Sequence, residues 1–336
     1  MLALLLILSF SVVFLHSVRL AIIVGIAAAI GYYSLALFSP IMTVIAVIFA
    51  IGFGAFVLLY GQKLLFLIAA VAAVVYATVE AGDPLLAVSA SVPLLAAVVL
   101  AVSIRRAMRR SSSICLIAAV LLIGYLAVPV WSMWQAGLFS QSFLTEFIAE
   151  LKVTYLEAFN QSLALVDEEL RAGMTEEYFL AVFNGVLRMI PALAILAASV
   201  IGFLANRLFL GLCIGSGRIQ KLPEASRFLI LSSVSAIVYL ISLLLVITVP
   251  SISDKQELLV ETANNLVILL LPPLFLVGCT GLLGFFAKRG CLTIWFFVGV
   301  GMIFSYFPGP ILYIISLFGV YLTFRANRMM SQTPKE

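Results

Sequence analysis

Charged side chains are scarce in this sequence, at 10% of 336 residues, and histidine is all but missing. A water-soluble domain would carry about 25% charged residues, so water is not the solvent that most of this chain faces. The lone histidine, His16, excludes histidine-rich metal sites, and no HExxH stretch supplies the zinc site of a metalloprotease. A phosphate-gripping GxxxxGK[ST] loop is missing too. The nearest candidate, "GLCIGSGR" (Gly211 to Arg218), lacks the lysine–hydroxyl pair and reads as a turn after a helix. The chain is therefore not expected to hydrolyse nucleotide alone. Its four cysteines (Cys115, Cys213, Cys279, Cys291) form no CxxC pair and avoid the expected outer loops, so they read as small buried residues. No metal site and no cofactor is expected.

What the chain has in abundance is apolar length. Hydrophobic residues make up 64% and the mean hydropathy is +1.24. A helix needs about 20 mostly apolar residues to cross a hydrocarbon core about 30 Å thick. Unbroken runs, without the alternation of barrel strands, point to helices. The expected fold is an all-α polytopic membrane protein with about eleven transmembrane helices (range nine to eleven) and one outer amphipathic helix. The expected spans are 2–15, 20–37, 41–60, 64–79, 85–104, 114–134, 181–205, 228–249, 265–286, 291–307 and 310–324. The first stretch has no basic leader or small-residue cleavage site, so it reads poorly as a signal peptide. Either it is a short tilted span or the true start lies upstream.

Basic residues near span ends stay cytoplasmic, which gives an orientation test independent of span length. Arg19, Lys63, the strip Arg105, Arg106, Arg109 and Arg110, then Arg207, Arg218, Lys221 and Arg227 fall on one side. Lys288, Arg289, Arg325, Arg328 and Lys335 join them, which makes 15 bases against Glu224 and Glu336. The other side holds 13 acidic residues and four bases: Lys152, Arg171, Arg188 and Lys255. The N-terminus is accordingly expected outside and the C-terminus inside. The expected organisation is an N-terminal bundle (1–134), an outer acidic segment (135–180) and a C-terminal bundle (181–336). "FPGP" (Phe307 to Pro310) supplies the turn of a closing helical hairpin.

In the outer segment, Phe143, Phe147, Leu151, Tyr155, Phe159 and Leu163 recur at helical spacing. Glu146, Glu150, Glu157, Asp167, Glu168 and Glu169 fall largely on other faces. Residues 140–170 thus read as an amphipathic helix on the outer surface, as a cap or as a gate.

Arg188 is the one base inside an otherwise lipid-compatible run. An arginine at mid-helix costs roughly 2.5–3.5 kcal/mol on insertion scales. Three readings stay open: snorkelling to the headgroups, a pair with an outer carboxylate such as Glu146 or Glu150, or ligand binding. For the last, Asn184 shares its face, and Pro191 leaves the carbonyl of Leu187 without its helical donor. An amide, a cation and a loose carbonyl suit an anionic headgroup or a carboxylated small molecule. Asn264 and Asn265 open the ninth span, Pro272 and Pro273 are expected to kink it, and Gly278, Gly281 and Gly284 give it a smooth packing face. Ala21, Gly25 and Ala29 do the same in the second span, and Trp131 and Trp134 suit an outer aromatic belt. Arg105, Arg106, Arg109 and Arg110 read as an orientation signal or as a contact for anionic lipid or a cytoplasmic partner. No fold here supports nucleic-acid binding.

Carboxylates are missing from the spans except where Glu80 and Glu261 touch an edge. That lowers the standing of proton- or sodium-coupled carriers and removes the paired aspartates of an intramembrane protease. With His16 at the edge of a doubtful span, a Ser–His hydrolase is equally poorly supplied. An enzyme is not expected.

The second half resembles the YybS-like family of uncharacterised bacterial integral membrane proteins. The likeness runs through "NRLFLG" and "LPEASRFL", then "ANNLVILLLPPLFLVGCTGLLGFF", and ends in "YLTFRANR", over residues 175–328. It implies a bacterial cytoplasmic-membrane location and brings no catalytic residues. Residues 20–112 are similar in texture to the substrate-binding components of energy-coupling-factor vitamin transporters, which depend on a separate ATP-driven module. The function expected is a non-enzymatic substrate-binding or permease component for a small anionic or amphiphilic ligand at Arg188, Asn184, Asn264 and Asn265. Its partners would be membrane lipids and an ATP-driven energy module. The alternative is a scaffold or regulator of cell-envelope processes that docks envelope proteins.

Overall fold

A computed structural model describes residues 40–61, 84–135, 141–163, 175–223, 229–249, 257–287 and 308–332, with a few single positions between them. Among these it is all-helical: α1 (Pro40–Tyr60), α2 (Pro84–Arg105), α3 (Arg110–Gln135), α4 (Gln141–Leu163), α5 (Glu176–Gly215), α6 (Ser233–Thr248), α7 (Glu257–Ala287) and α8 (Pro308–Gln332), with a 3-10 turn at Ile219–Lys221. Five helices are long and apolar enough to cross a membrane: α1, α3, α5, α7 and α8. Ser91–Arg105 within α2 and Ser233–Thr248 are shorter apolar helices. The expected spans 2–15, 20–37 and 291–307 lie outside the described residues, as do Ala21, Gly25 and Ala29. Of 64–79 only Leu67, Val71 and Val75 are described, all helical and exposed.

Helix ends depart from the hydropathy reading where polar residues continue a helix. The expected span 181–205 is part of a 40-residue helix, α5, whose first turn is capped by the Thr175 hydroxyl accepting from the Tyr178 amide and carries Glu176 and Glu177. Acidic residues at a helix N-terminus offset the helix dipole, so this polar stretch starts a helix where an outer loop was expected. In the same way α7 begins at Glu257, eight residues before the expected span, and α8 runs on to Gln332. Conversely, 229–232 are not helical, and α6 starts at Ser233 behind the Ser232 cap. Of the amphipathic helix expected over 140–170, Gln141–Leu163 is helical, and the remaining positions lie outside the described residues.

Two hydrophobic cores organise the bundle. The first joins α1, α2, α3 and the second half of α5, with Phe53, Phe56, Leu100, Ile117 and Phe209 fully buried. The second joins α6, α7 and α8 around Tyr239, Val267, Leu274 and Val320. Helix α5 therefore straddles the expected division at 181: its second half belongs to the first core, while it also packs against α7.

Bundle geometry separates a basic end from an acidic end. Arg105 Nη2 donates to the Leu58 carbonyl (3.2 Å), and Arg218 Nη1 donates to the Tyr60 carbonyl (3.3 Å) while its guanidinium sits 4.8 Å from the Tyr60 ring centroid. Helix α1 has no basic residue in its own last turn. Its free C-terminal carbonyls are thus capped by arginines from α2 and from the loop after α5. At 1.5 Å per residue, Arg207 and Arg188 on α5 lie roughly 28 Å apart, and Arg110 and Trp131 on α3 roughly 31 Å apart. Both intervals match a hydrocarbon core of about 30 Å. The rings of Trp131 and Trp134, 5.0 Å apart and exposed, mark the acidic-end rim. Beyond Arg188, α5 continues for about three turns, and there α4 docks on it antiparallel, with Phe159 against Phe179 (4.9 Å) and Tyr155 against Phe183 (6.1 Å).

The most extensive helix pair is α7 with α8. The two run parallel, since Glu261 near the start of α7 pairs with Arg188 at the acidic end and Asn327 near the end of α8 accepts from Arg109 at the basic end. They cross where Leu274 meets Gly319, Gly278 meets Ile315, and Gly281 meets Leu322 and Phe318. Helix α7 therefore ends at the basic end and α8 begins at the acidic end. The expected smooth face is real at Gly278 and Gly281, whereas Gly284 faces open space and Gly319 supplies the matching contact from α8. Helix α7 continues unbroken through Pro272 and Pro273.

Candidate ligand-binding site

At the acidic end, Asn265 alone of the asparagines singled out is seen to meet Arg188, together with a carboxylate that hydropathy placed at a span edge. Arg188 Nη1 pairs with Glu261 Oε1 across the α5–α7 contact. Glu261 and Asn265 lie one turn apart on α7, and Asn265 Nδ2 donates to the backbone carbonyl of Arg188 at 3.2 Å. The expected partners Glu146 and Glu150 sit on α4 and are exposed. Asn184 is exposed one turn before Arg188, and Asn264 is half-buried beside Asn265. The Oδ1 of Asn265 is buried and unpartnered. Chemically this group is an interhelical clasp at the membrane rim. The charge of Arg188, half exposed, is thus matched by the Glu261 carboxylate.

At the basic end, the four arginines of the strip have four different surroundings. Helix α2 closes with the Met108 amide donating to the Ser103 carbonyl (3.0 Å) and the Ala107 amide to the Ile104 carbonyl (3.0 Å). This is a Schellman ending, and it puts Ala107 in the left-handed region at φ 52°. The reversal sends Arg105 to cap α1, leaves Arg106 exposed, and pairs Arg109 Nη1 with Asn327 Oδ1 of α8 (3.2 Å). Arg110, only 6% exposed, becomes the first residue of α3. Its Nε donates to Asn206 Oδ1 of α5 at 2.7 Å, and its guanidinium lies 5.2 Å from the Phe203 ring centroid. Its Nη2 is buried without a hydrogen-bond partner.

Neighbouring bonds tie this turn to the second core. Ser111 Oγ donates to the Ile230 carbonyl (2.8 Å), Ser226 Oγ to the Met108 carbonyl (3.0 Å), and Asn327 Nδ2 to the Leu231 carbonyl (2.8 Å). The "GLCIGSGR" stretch is a second Schellman ending, with the Arg218 amide on the Cys213 carbonyl (2.8 Å) and Gly217 at φ 67°. It caps a helix, as a turn after a helix should.

Between the two polar seams lies a cleft of about 220 Å³ at the junction of the two cores. Leu196, Val200 and Phe203 of α5 form one wall; Leu270, Pro273 and Leu276 of α7 face them. Ser111, Cys115 and Ser235 close the basic end. Along α5 the lining runs from Ile195 to Phe203, roughly 6–18 Å from Arg207 towards the acidic end. The volume is below the ~300–1,000 Å³ of sites that enclose drug-sized molecules, so the cleft suits a small apolar group or a stretch of a single chain. Sequence reasoning missed it because it is made by helices far apart in the chain. Arg110 was legible in one respect. It lies four residues before Ile114 and seven before Ile117, both buried, and so shares the inward face of α3.

Among the described residues, no group of three or more His, Cys, Asp or Glu could hold a metal ion. No protein-family model matches the chain, and comparison with curated proteins and with solved structures finds no match.

Proposed function

We propose that this protein is a non-enzymatic, multi-pass membrane component that binds an amphiphilic ligand, as the substrate-binding or permease part of a transport system. The carrying observation is the apolar cleft of about 220 Å³ at the junction of the two cores. The ligand site is accordingly moved from Arg188, which is matched by Glu261, to the seam between α3, α5 and α7. The resemblance to the YybS-like family and the segregation of charge support a bacterial cytoplasmic membrane, about eleven crossings, an outer N-terminus and an inner C-terminus. The basic end is then cytoplasmic. Without a nucleotide loop of its own, the chain would work downhill or with an ATP-driven partner.

Thiol chemistry tests this. Cys115 lines the cleft and is a free, exposed cysteine. In a variant with Cys213, Cys279 and Cys291 changed to alanine, N-ethylmaleimide should label Cys115 in detergent-solubilised protein. Amphiphiles with one slender chain should slow that labelling saturably. Labelling indifferent to every amphiphile offered would refute the reading.

A second reading, a scaffold for envelope proteins, is favoured by one feature: α4 leaves Phe147, Ile148, Val153 and Tyr155 exposed on an arm docked beyond Arg188. Crosslinking from α4 that recovers a stoichiometric envelope protein, together with an unoccupied cleft, would favour it.

A further inference from the structure

Arg110 is hard to explain as a structural residue. A permanent cation buried to 6% exposure needs a counter-charge or a full set of acceptors. Among the described residues it has one hydrogen bond, to the neutral amide of Asn206, and one aromatic face, Phe203. One terminal nitrogen has nothing, and an orphaned donor in such a place calls for an acceptor that the protein itself does not supply. Phe203 also lines the apolar cleft, and so does Ser111, the next residue after Arg110. The unpartnered donor thus lies beside two residues of the cleft wall.

From this juxtaposition we infer that Arg110 is the headgroup anchor for an anionic phospholipid of the basic-end leaflet, whose acyl chain occupies the cleft. The inference rests on the proposed amphiphile site and names its ligand class. A phosphate oxygen at Nη2 would complete the guanidinium's hydrogen bonding and neutralise it, in the planar geometry arginine offers to phosphates. The level is right, since Asn206 adjoins Arg207 at the basic rim while the cleft extends inward from there. The sign of the surroundings is right as well: Arg106, Arg109 and Arg207 are exposed nearby, which favours a net anionic head over a zwitterionic one that brings its own ammonium.

The test is native mass spectrometry of the full chain released from nanodiscs of phosphatidylglycerol or phosphatidylethanolamine with identical acyl chains. The wild type is expected to retain one phosphatidylglycerol in preference to phosphatidylethanolamine. Both lipids carry the phosphate, so Arg110→Gln should lower the retention of either about tenfold or more, the worth of one charged hydrogen bond, and Ser199→Phe, which fills the cleft, should hold neither. Retention by Arg110→Gln equal to wild type overturns the anchor. If Arg110→Gln does not fold, Arg110→Lys replaces it and should lower retention severalfold; unchanged retention again overturns the anchor. Retention by Ser199→Phe equal to wild type would sink the cleft reading itself, whichever way Arg110 behaves.

Discussion

Gly319→Ala should weaken the whole second core, and the structure says by how much. A methyl group on Gly319 would run into the carbonyl oxygen of Leu274, with the Leu274 carbonyl carbon at 2.8 Å and the Gly278 nitrogen at 3.1 Å. These are backbone atoms, so no side chain can swing away. Carbon pairs pack best at about 3.5–4.0 Å, which means α7 and α8 must part by roughly 1 Å or slide. Overpacking of this kind costs about 1–3 kcal/mol. The parting also strains the buried hydrogen bond between Tyr239 and Ser316 (2.6 Å), since Ser316 lies one turn before Gly319. Such a bond inside a membrane bundle is worth about 0.6–1.7 kcal/mol. Against this, alanine is the better helix former by about 1 kcal/mol. The net expectation is a loss of about 1–3 kcal/mol, a fall of several degrees in the midpoint of a thermal melt followed by size-exclusion chromatography in detergent. Gly284→Ala is the control: no atom lies within 4 Å of its added methyl, so only the propensity gain remains. Equal midpoints for the two variants would show that α7 and α8 do not approach as described.

Exchanging charges at the acidic-end clasp, Arg188→Glu with Glu261→Arg, should restore most of the stability that either single change removes. A double-mutant cycle on detergent melts should read a coupling of about 0.5–1 kcal/mol, and zero coupling would dissolve the pair. Ala107→Gly should stabilise by about 1 kcal/mol, because φ 52° strains alanine and not glycine; an unchanged or lower midpoint would count against the Schellman ending of α2. Tyr239→Phe removes the hydroxyl that bonds Ser316 and should cost about 0.6–1.7 kcal/mol, read in the same melt; no loss would mean that Ser316 finds full compensation with the Tyr313 carbonyl.

The helical class was legible because apolar length alone decides it in a bilayer. The helix ends were not, and Glu261 shows why. Hydropathy stops a span at the first carboxylates, whereas α7 runs through them because Arg188 neutralises one from a neighbouring helix. The partner of Arg188 was thus hidden by the same charge that makes it a partner. Gly319 was unreadable for a different reason: an isolated glycine in an apolar run gains meaning only from Gly278 on the facing helix. Among the four strip arginines, nothing local separates Arg109 from Arg110. The phase of α3 separates them, since Arg110 falls in register with Ser113, Ile114, Ile117 and Leu121 on the buried side.

The distribution of polarity along the junction of the two cores bears on how a ligand would arrive. Arg188, Glu261 and Asn265 bind α5 to α7 at one end. Arg109 with Asn327, and Ser111 with the Ile230 carbonyl, bind the two cores at the other. Polar ties thus sit at both rims, while the stretch between them is lined almost entirely by apolar atoms. A ligand that arrives with an apolar chain matches that lining, and a headgroup at its basic end would meet the rim where Arg110 has a donor to spare.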